Sequence, residues 1–148
     1  MSVNTSGICG ILGKSCQKDD LRKIATGMRV AEYAHNGEMY VDDSIGFCSF
    51  SREGKGNRVV CNENGTILAI INGEIYNAEE VKSLLASQGH KLTSDIDHEV
   101  LVHIFENLHA DPLLIRSVEG AFSFAIWDRV NEKLMLGVDK FGIRPLYY

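Results

Sequence analysis

This sequence of 148 residues lacks the long apolar and basic runs that mark membrane-spanning and nucleic-acid-binding chains. Its longest apolar stretches, Thr66 to Ile71 and Ala121 to Trp127, are far shorter than the roughly 20 residues that cross a bilayer. Lys and Arg number 15 against 20 Asp and Glu, and the basic residues form no stripe that would follow a phosphate backbone. We therefore expect no membrane and no nucleic-acid partner.

Cofactor, metal and disulfide signatures are also missing. Neither G-x-G-x-x-G nor G-x-x-x-x-G-K-[ST] occurs, and the four cysteines show no CxxC spacing. His98 and His103 lie five positions apart, a spacing that does not put both side chains on one helical face. The polar N-terminus has no apolar core of a secretory signal. We therefore expect a cytoplasmic protein with reduced thiols, no cofactor and no metal.

Two stretches have the apolar spacing of amphipathic helices that lie on a sheet. Asp19 or Asp20 can cap the first helix, whose apolar positions fall between Leu21 and Ala31, and Gly37 is a natural stop soon after. The second helix follows Asn77, which forms a capping-box spacing with Glu80, and places Val81, Leu84 and Leu85 inward before Gly89. Both helices therefore need an apolar surface to cover.

Strand and turn signals predict antiparallel sheets. The apolar run from Gly7 to Gly13 suits a buried strand, and residues Tyr40 to Ser51 fit extended structure. Asn64-Gly65 and Asp128 to Asn131 are turn signals between apolar stretches, as in hairpins. Because hairpin-joined strands alternate with groups of helices, we expect one α+β domain over residues 1–148.

Two segments are candidates for chemistry, each with a structural alternative. Asn72-Gly73-Glu74 brings together, at a strand end, an amide, a glycine that allows close approach of another group, and a carboxylate. This suits either a binding site or a polar turn before a helix. Cys9 is either a filler in a buried strand or a nucleophile, and spacing does not decide between them. Ser94, Asp95 and Asp97 are typical of helix caps before a third helix through Val100, Leu101 and Ile104.

Four blocks, in chain order, carry a family resemblance: Cys9 to Ile11, Asn72 to Asn77, Ser94 to Val100, and Phe122 to Asp128 with Asp139 to Tyr148. Together they resemble the class II glutamine amidotransferase domain of asparagine synthetase B type, in the N-terminal-nucleophile hydrolase family. The resemblance implies an αββα sandwich, in which two antiparallel sheets pack face to face with helices outside.

The resemblance implies a glutaminase, which converts the side-chain amide of glutamine to glutamate and ammonia. Cys9 would attack, with its own α-amine as the base. Asn72 and the Gly73 N–H would form the oxyanion hole, and Glu74 and Asp97 would bind the α-ammonium of glutamine. The ammonia would pass to a separate synthetase chain or to a domain that this chain lacks. No cofactor is implied.

The chain departs from the family pattern at several positions. Eight residues precede Cys9, so its nitrogen is an amide unless residues 1–8 are removed as a propeptide. Ser49 stands where the family places the arginine for the glutamine carboxylate, and Arg52 lies on the opposite strand face. The chain stops at Tyr148, before the family's closing strands. Two hypotheses follow: a processed glutaminase, or a binding or structural module whose glutaminase chemistry has lapsed.

Overall fold

The computed structural model of the chain describes residues 6–30, 38–51, 58–108 and 113–148. The chain divides into two compact units. The first comprises residues up to Val59 together with Ile70–Asn72, and the second comprises Val60–Ala69 and Gly73–Tyr148. Each unit contains one sheet with helical segments, and the strand Ile67–Ile75 of the second sheet contributes residues to both units.

The first unit contains a three-stranded antiparallel sheet in the order β1-β3-β2. The extended stretch predicted from Tyr40 to Ser51 is interrupted, because the carboxylate of Asp42 accepts the backbone N–H groups of Ser44 and Ile45, each at 2.9 Å. This turn separates two strands of one hairpin. The strands are β1 (Ser6–Leu12), β2 (Glu38–Val41) and β3 (Ile45–Ser51).

Helix α1 (Lys18–Ala25) packs on this sheet and continues into a π-helical turn over Thr26–Val30. Leu21 and Ala25 are fully buried, as predicted. The cap prediction, Asp19 or Asp20, was wrong by two or three residues: the helix is capped at Gln17, whose N–H is accepted by the Asp20 carboxylate at 3.3 Å. An acidic side chain is therefore part of the cap, but it acts from inside the first turn.

The apolar face of this helix is narrower than predicted. Ile24 and Met28 are 40% and 47% exposed, although the helical spacing placed both inward. Met28 lies in the π turn, whose wider spacing puts it out of phase with Leu21, whereas Ile24 lies within the eight-residue α-helical part at the edge of its buried face. The predicted positions Ala31 and Gly37 lie outside the described residues.

The second unit contains a four-stranded sheet in the order β4-β5-β6-β7. Both predicted hairpins are confirmed, and Gly65 has the positive φ of 65° that its turn needs. Strands β5 and β6 run antiparallel, since Gly73 lies against Ala121 and the Tyr76 N–H donates to Glu119. The strands are β4 (Val60–Cys61), β5 (Ile67–Ile75), β6 (Gly120–Asp128) and β7 (Lys133–Val138).

Helix α2 (Ala78–Ser87) begins after Asn77 and ends before Gly89, as predicted. The predicted capping box is absent, because the Asn77 side chain instead donates to the Ser117 carbonyl at 2.8 Å and accepts the Glu119 N–H at 2.9 Å. Val81 and Leu85 are buried, whereas the predicted inward residue Leu84 is 41% exposed. Asn77 thus ties the start of the helix to the segment that precedes β6.

Helix α3 (Val100–Asn107) confirms the third predicted helix, and its residues Val100 to Ile104 are fully buried. Short 3-10 turns precede it at Asp97–Glu99 and follow it at Leu114–Ser117. None of the helices in the described ranges is long and apolar enough to cross a bilayer. The α+β class and the two antiparallel sheets expected from the resemblance are confirmed.

A buried carboxylate organises the segment after β7. Asp139 is 5% exposed, and its oxygens accept the N–H groups of Phe122 at 3.1 Å, Phe141 at 2.8 Å and Ile143 at 2.9 Å. Burial opposes its ionisation, but these backbone donors, with that of Arg144, outweigh burial and hold the pKa of Asp139 below its usual value. The ionised carboxylate therefore stabilises the link between β6 and the C-terminal segment.

We expect Asp139→Asn to lower the free energy of unfolding by about 2 kcal/mol at pH 7, because an amide meets several N–H donors with only one acceptor oxygen. Since folding lowers this pKa, the wild-type contribution is complete above the unfolded pKa of about 4 and is lost as the pH falls below it. Urea unfolding at pH 7 and pH 3 tests this, with the exposed Asp43→Asn as control. A difference between wild type and D139N that does not shrink at pH 3 would contradict the assignment.

Candidate functional site

In the first unit, the residue that meets Asn72 is Ser6. The Ser6 hydroxyl donates a hydrogen bond to Asn72 Oδ1 at 2.9 Å, and both side chains are half-buried. Ser6 is the first residue of β1, and Asn72 lies near the end of β5. A hydroxyl and the oxygen of a side-chain amide therefore lie in direct contact.

The predicted nucleophile Cys9 lies on the opposite face of the same strand. Strand β1 pairs with β3 in continuous register from Ser6 to Leu12, so residues three apart point to opposite sides. Cys9 is paired with Cys48 and packs against the apolar cluster that includes Leu21 and Ala25 of α1. The structure thus brings Asn72 to Ser6 and directs the thiol of Cys9 toward the helix.

The environment of Cys9 disfavours its thiolate. The neighbouring Cys48 thiol hydrogen-bonds with it, and this contact together with partial burial raises the pKa of the Cys9 thiol well above its ordinary value. A nucleophilic cysteine needs the opposite, a lowered pKa with a cation or a base beside it. In the chain that includes residues 1–8, Cys9 therefore has the surroundings of a core residue.

Ser49, which occupies the arginine position of the family pattern, is buried on β3 at 2% exposure. It pairs with Ile8 of β1 and with Glu38 of β2. A short neutral side chain thus stands where the resemblance implies a guanidinium for the glutamine carboxylate. Arg52, the residue considered as a substitute, lies outside the described residues.

Gly73, in the second unit, is required by its backbone and by its neighbours. Its φ is 122°, and a Cβ built on it would collide with the Ala121 carbonyl oxygen and with Phe122 Cα. The close approach that the sequence predicted at this glycine is therefore confirmed. The positive φ turns the chain between Asn72 and Glu74, a conformation that side chains other than glycine rarely adopt.

The carboxylate of Asp97 accepts an ammonium group within the chain. Lys82 Nζ lies 2.8 Å from Asp97 Oδ1 and 3.0 Å from Glu79 Oε1. Burial opposes the charge of Lys82, but these two carboxylates outweigh it and raise the lysine pKa above its usual value. Asp97 is thus already paired with an ammonium group of the chain itself. Glu74 is exposed on β5.

Glu99 holds the loop that carries Asp97. This carboxylate is 1% exposed and accepts four hydrogen bonds of 2.7 to 2.9 Å, from the N–H and hydroxyl groups of Thr93 and Ser94. Burial raises its pKa, but these donors together hold the pKa of Glu99 below its usual value. The cap prediction for this segment was wrong, since Ile96 precedes the 3-10 turn and Ser94 binds Glu99 instead.

Sequence reasoning missed Ser6 and Glu99 for different reasons. A signal for Ser6 was present, because Ser6-Gly7-Ile8 repeats the pattern of Cys9-Gly10-Ile11 with a hydroxyl in place of the thiol. Glu99 gave no such signal, since an acidic residue at the start of a helix is typical of the surface. Only its burial by packing identifies it as a residue that positions the loop.

We expect Cys9 to be alkylated by iodoacetamide at pH 8 at least about tenfold more slowly than the exposed Cys61, because the reaction needs an accessible thiolate. Peptide mass spectrometry over a time course of the native protein measures both rates. Alkylation of the urea-unfolded chain serves as the control, in which the two rates converge. Faster labelling of Cys9 in the native chain would show that it is an activated thiol.

We expect Gly73→Ala to destabilise the protein by about 1 to 3 kcal/mol, through its strained φ and the clash with β6. Gly27→Ala is the matched control, since a Cβ at Gly27 meets no atom within 4 Å. Thermal unfolding of the two variants compares them directly. Equal melting temperatures would mean that the backbone at Gly73 relaxes freely.

Comparison with known proteins places the chain in a family. A model of the family described as glutamine amidotransferase domain matches residues 48–148. Asparagine synthetase [glutamine-hydrolyzing] 2 of Bacillus subtilis is 38% identical over 116 residues, which cover 75% of this chain and 15% of that protein. The asparagine synthetase [glutamine-hydrolyzing] of Sandersonia aurantiaca is 32% identical over 152 residues, 95% of this chain and 28% of that protein.

The chain thus spans less than a third of the length of either relative. Similarity to the synthetases is confined to that part of each protein. Both the family match and the Sandersonia alignment include the Asn72 and Asp97 segments. This chain belongs to the glutamine amidotransferase domain family, in its class II, asparagine synthetase branch.

Proposed function

We propose that this chain is a glutamine-recognising amidotransferase domain that, with residues 1–8 in place, binds glutamine without hydrolysing it. The hydrogen bond from Ser6 to Asn72 carries the proposal, because a hydroxyl occupies the position beside the oxyanion residue. A hydroxyl is a weak nucleophile unless a base takes its proton. In the uncleaved chain the Ser6 nitrogen is part of a peptide bond and has no basic lone pair.

Glutamine recognition would rest on Asn72, Glu74 and Asp97. Carboxylates are the natural complement of the α-ammonium group, and the ion pair of Asp97 with Lys82 supports this affinity for an amine. Ser49 in place of an arginine removes a bidentate contact with the glutamine carboxylate, which lowers affinity by roughly ten- to a hundredfold. The expected binding is therefore weak.

The proposed partner is a synthetase-type protein, supplied by a separate cytoplasmic chain or by a further domain. The short share of the relatives that this chain covers supports such a partner. In this arrangement residues 1–148 act as one amidotransferase domain, with glutamine as ligand and no cofactor. If processing made the chain a glutaminase, the ammonia acceptor would be a property of the partner and not of this chain.

A second candidate function, glutamine hydrolysis after processing, is favoured by the same contact between Ser6 and Asn72. Removal of residues 1–5 would give Ser6 a free α-amine, whose pKa near 7.7 to 8.0 suits a general base at neutral pH. Removal of residues 1–8 would do the same for Cys9, the nucleophile that the resemblance implies. The two cleavage products differ in intact mass. Their turnover would also be abolished by different substitutions, Ser6→Ala in one case and Cys9→Ala in the other.

The test combines the intact mass of the purified full-length protein with glutamine binding by calorimetry and glutamate release at pH 7.5. We expect the full mass, no glutamate release and weak glutamine binding that Asp97→Asn lowers by about tenfold or more, since a charged contact contributes roughly 1.5 to 3 kcal/mol. The exposed Asp43→Asn is the control and should bind as the wild type does.

Other outcomes separate the alternatives. Turnover abolished by Ser6→Ala, in a protein that has lost residues 1–5, would establish the second candidate with a serine nucleophile. Turnover abolished by Cys9→Ala, after loss of residues 1–8, would establish the cysteine enzyme. No glutamine binding, or binding that D97N leaves unchanged, would overturn the recognition proposal and leave a purely structural module.

A further inference from the structure

Two imidazole nitrogens and one carboxylate oxygen converge in the second unit. Glu106 Oε2 lies 3.2 Å from His103 Nδ1 and 3.3 Å from His90 Nδ1, and the three atoms lie within 4.8 Å of one another. Ligands placed about 2.0 to 2.1 Å from a tetrahedral zinc ion are themselves roughly 3.3 Å apart. The two distances from Glu106 to the imidazoles therefore match the spacing of ligands around one metal ion.

The carboxylate of this cluster is held by its other oxygen. Asn62 Nδ2 donates to Glu106 Oε1 at 2.7 Å, and Asn62 itself is buried and anchored by the Thr66 and Ile67 N–H groups. Glu106 therefore presents Oε2 to both imidazoles in one orientation. Ligands held in this way by neighbouring hydrogen bonds are typical of metal sites.

His103 is fully buried, and the position of its Nε2 atom is easier to explain with a metal bound at Nδ1 than without one. Nε2 has no hydrogen-bond partner and lies 3.7 Å from Glu99 Oε1, while Nδ1 faces Glu106. If Nδ1–H donates to Glu106, a neutral ring leaves a buried acceptor nitrogen near a carboxylate, which is unfavourable. A metal on Nδ1 would place the proton on Nε2, where the Glu99 carboxylate stabilises it.

Glu63, which follows β4, supplies a fourth candidate ligand. Its Oε1 accepts the Lys91 N–H at 3.2 Å, and its Oε2 lies 3.9 Å from His103 Nδ1. The side chain is one-third exposed, at 34%, and lines an open depression together with Gln88 and Gly89. This opening gives an ion access from solvent and gives Glu63 room to close on it.

We propose that His90, His103 and Glu106, with Glu63 as the fourth ligand, form a binding site for a divalent transition-metal ion, Zn²⁺ in particular. Imidazole favours such ions over Mg²⁺ and Ca²⁺, which prefer all-oxygen sites. A bound ion would join the β4–β5 turn, the end of α2 and helix α3. The proposal does not depend on glutamine binding or hydrolysis.

The test uses full-length protein stripped with EDTA and desalted, carrying Cys61→Ser because an exposed thiol also binds zinc. Calorimetry with ZnCl2 at pH 7.5 should give one ion per chain and a higher melting temperature in excess zinc. His90→Ala and Glu106→Gln should each weaken zinc binding by at least about tenfold. Removal of a residue that only supports a metal ligand already lowers metal affinity by about that factor, so loss of a ligand should lower it at least as much. Glu80→Gln, an exposed carboxylate on α2, is the control.

The visible absorption spectrum of bound Co²⁺ reports which kinds of ligand surround the ion, independently of how tightly it binds. We expect visible absorption typical of tetrahedral cobalt without thiolate charge-transfer bands, and loss of that absorption in H90A. His90 is replaced in preference to the fully buried His103 because His90 is partly exposed. Circular dichroism of the apo variants is the check that they fold. Absence of binding at a 1:1 ratio, or zinc affinity unchanged in both H90A and E106Q, would overturn the proposal.

Discussion

The pairing of β1 with β3 is the constraint on which the candidate site depends. Continuous register from Ser6 to Leu12 forces strict alternation, so the strand presents Ser6 to Asn72 and Cys9 to helix α1. A shift of one residue would exchange the two faces and expose apolar side chains that now pack on the helix. The burial of Leu21 and Ala25 against this sheet therefore indirectly selects the group that faces Asn72.

A second constraint recurs in the loops, where carboxylates accept backbone N–H groups that would otherwise lack partners. Asp42, Asp128, Glu99 and Asp139 each bind two or more such donors in turns or at strand ends. These bonds are charge-assisted and stabilise conformations that no sheet or helix would provide. The backbone hydrogen bonds that Glu99 accepts position the loop that carries Asp97. They also hold the Glu99 carboxylate close to His103.

Local signals were predictive where the determining contacts are local. Gly65 and Gly89 mark a turn and a helix end because positive φ is a property of one residue, and both features are present. Predictions that required knowing the surroundings were less accurate. Ile24 and Leu84 have helical spacing for burial but are exposed, since the width of a buried stripe depends on what covers it. Ser94 was predicted to cap a helix, but its hydroxyl instead donates a hydrogen bond to the buried Glu99 carboxylate.

The family and the α+β class could be read from the residues alone, because the conspicuous blocks around Asn72, Asp97 and Asp139 are contiguous and specific. Gly73 was likewise identified as a point of close approach. The contact of Ser6 with Asn72, and that of His90 with His103 across thirteen positions of chain, emerge only from the folded structure. Strand pairing and helix packing create these contacts between residues distant in sequence, and no local spacing encodes such distances.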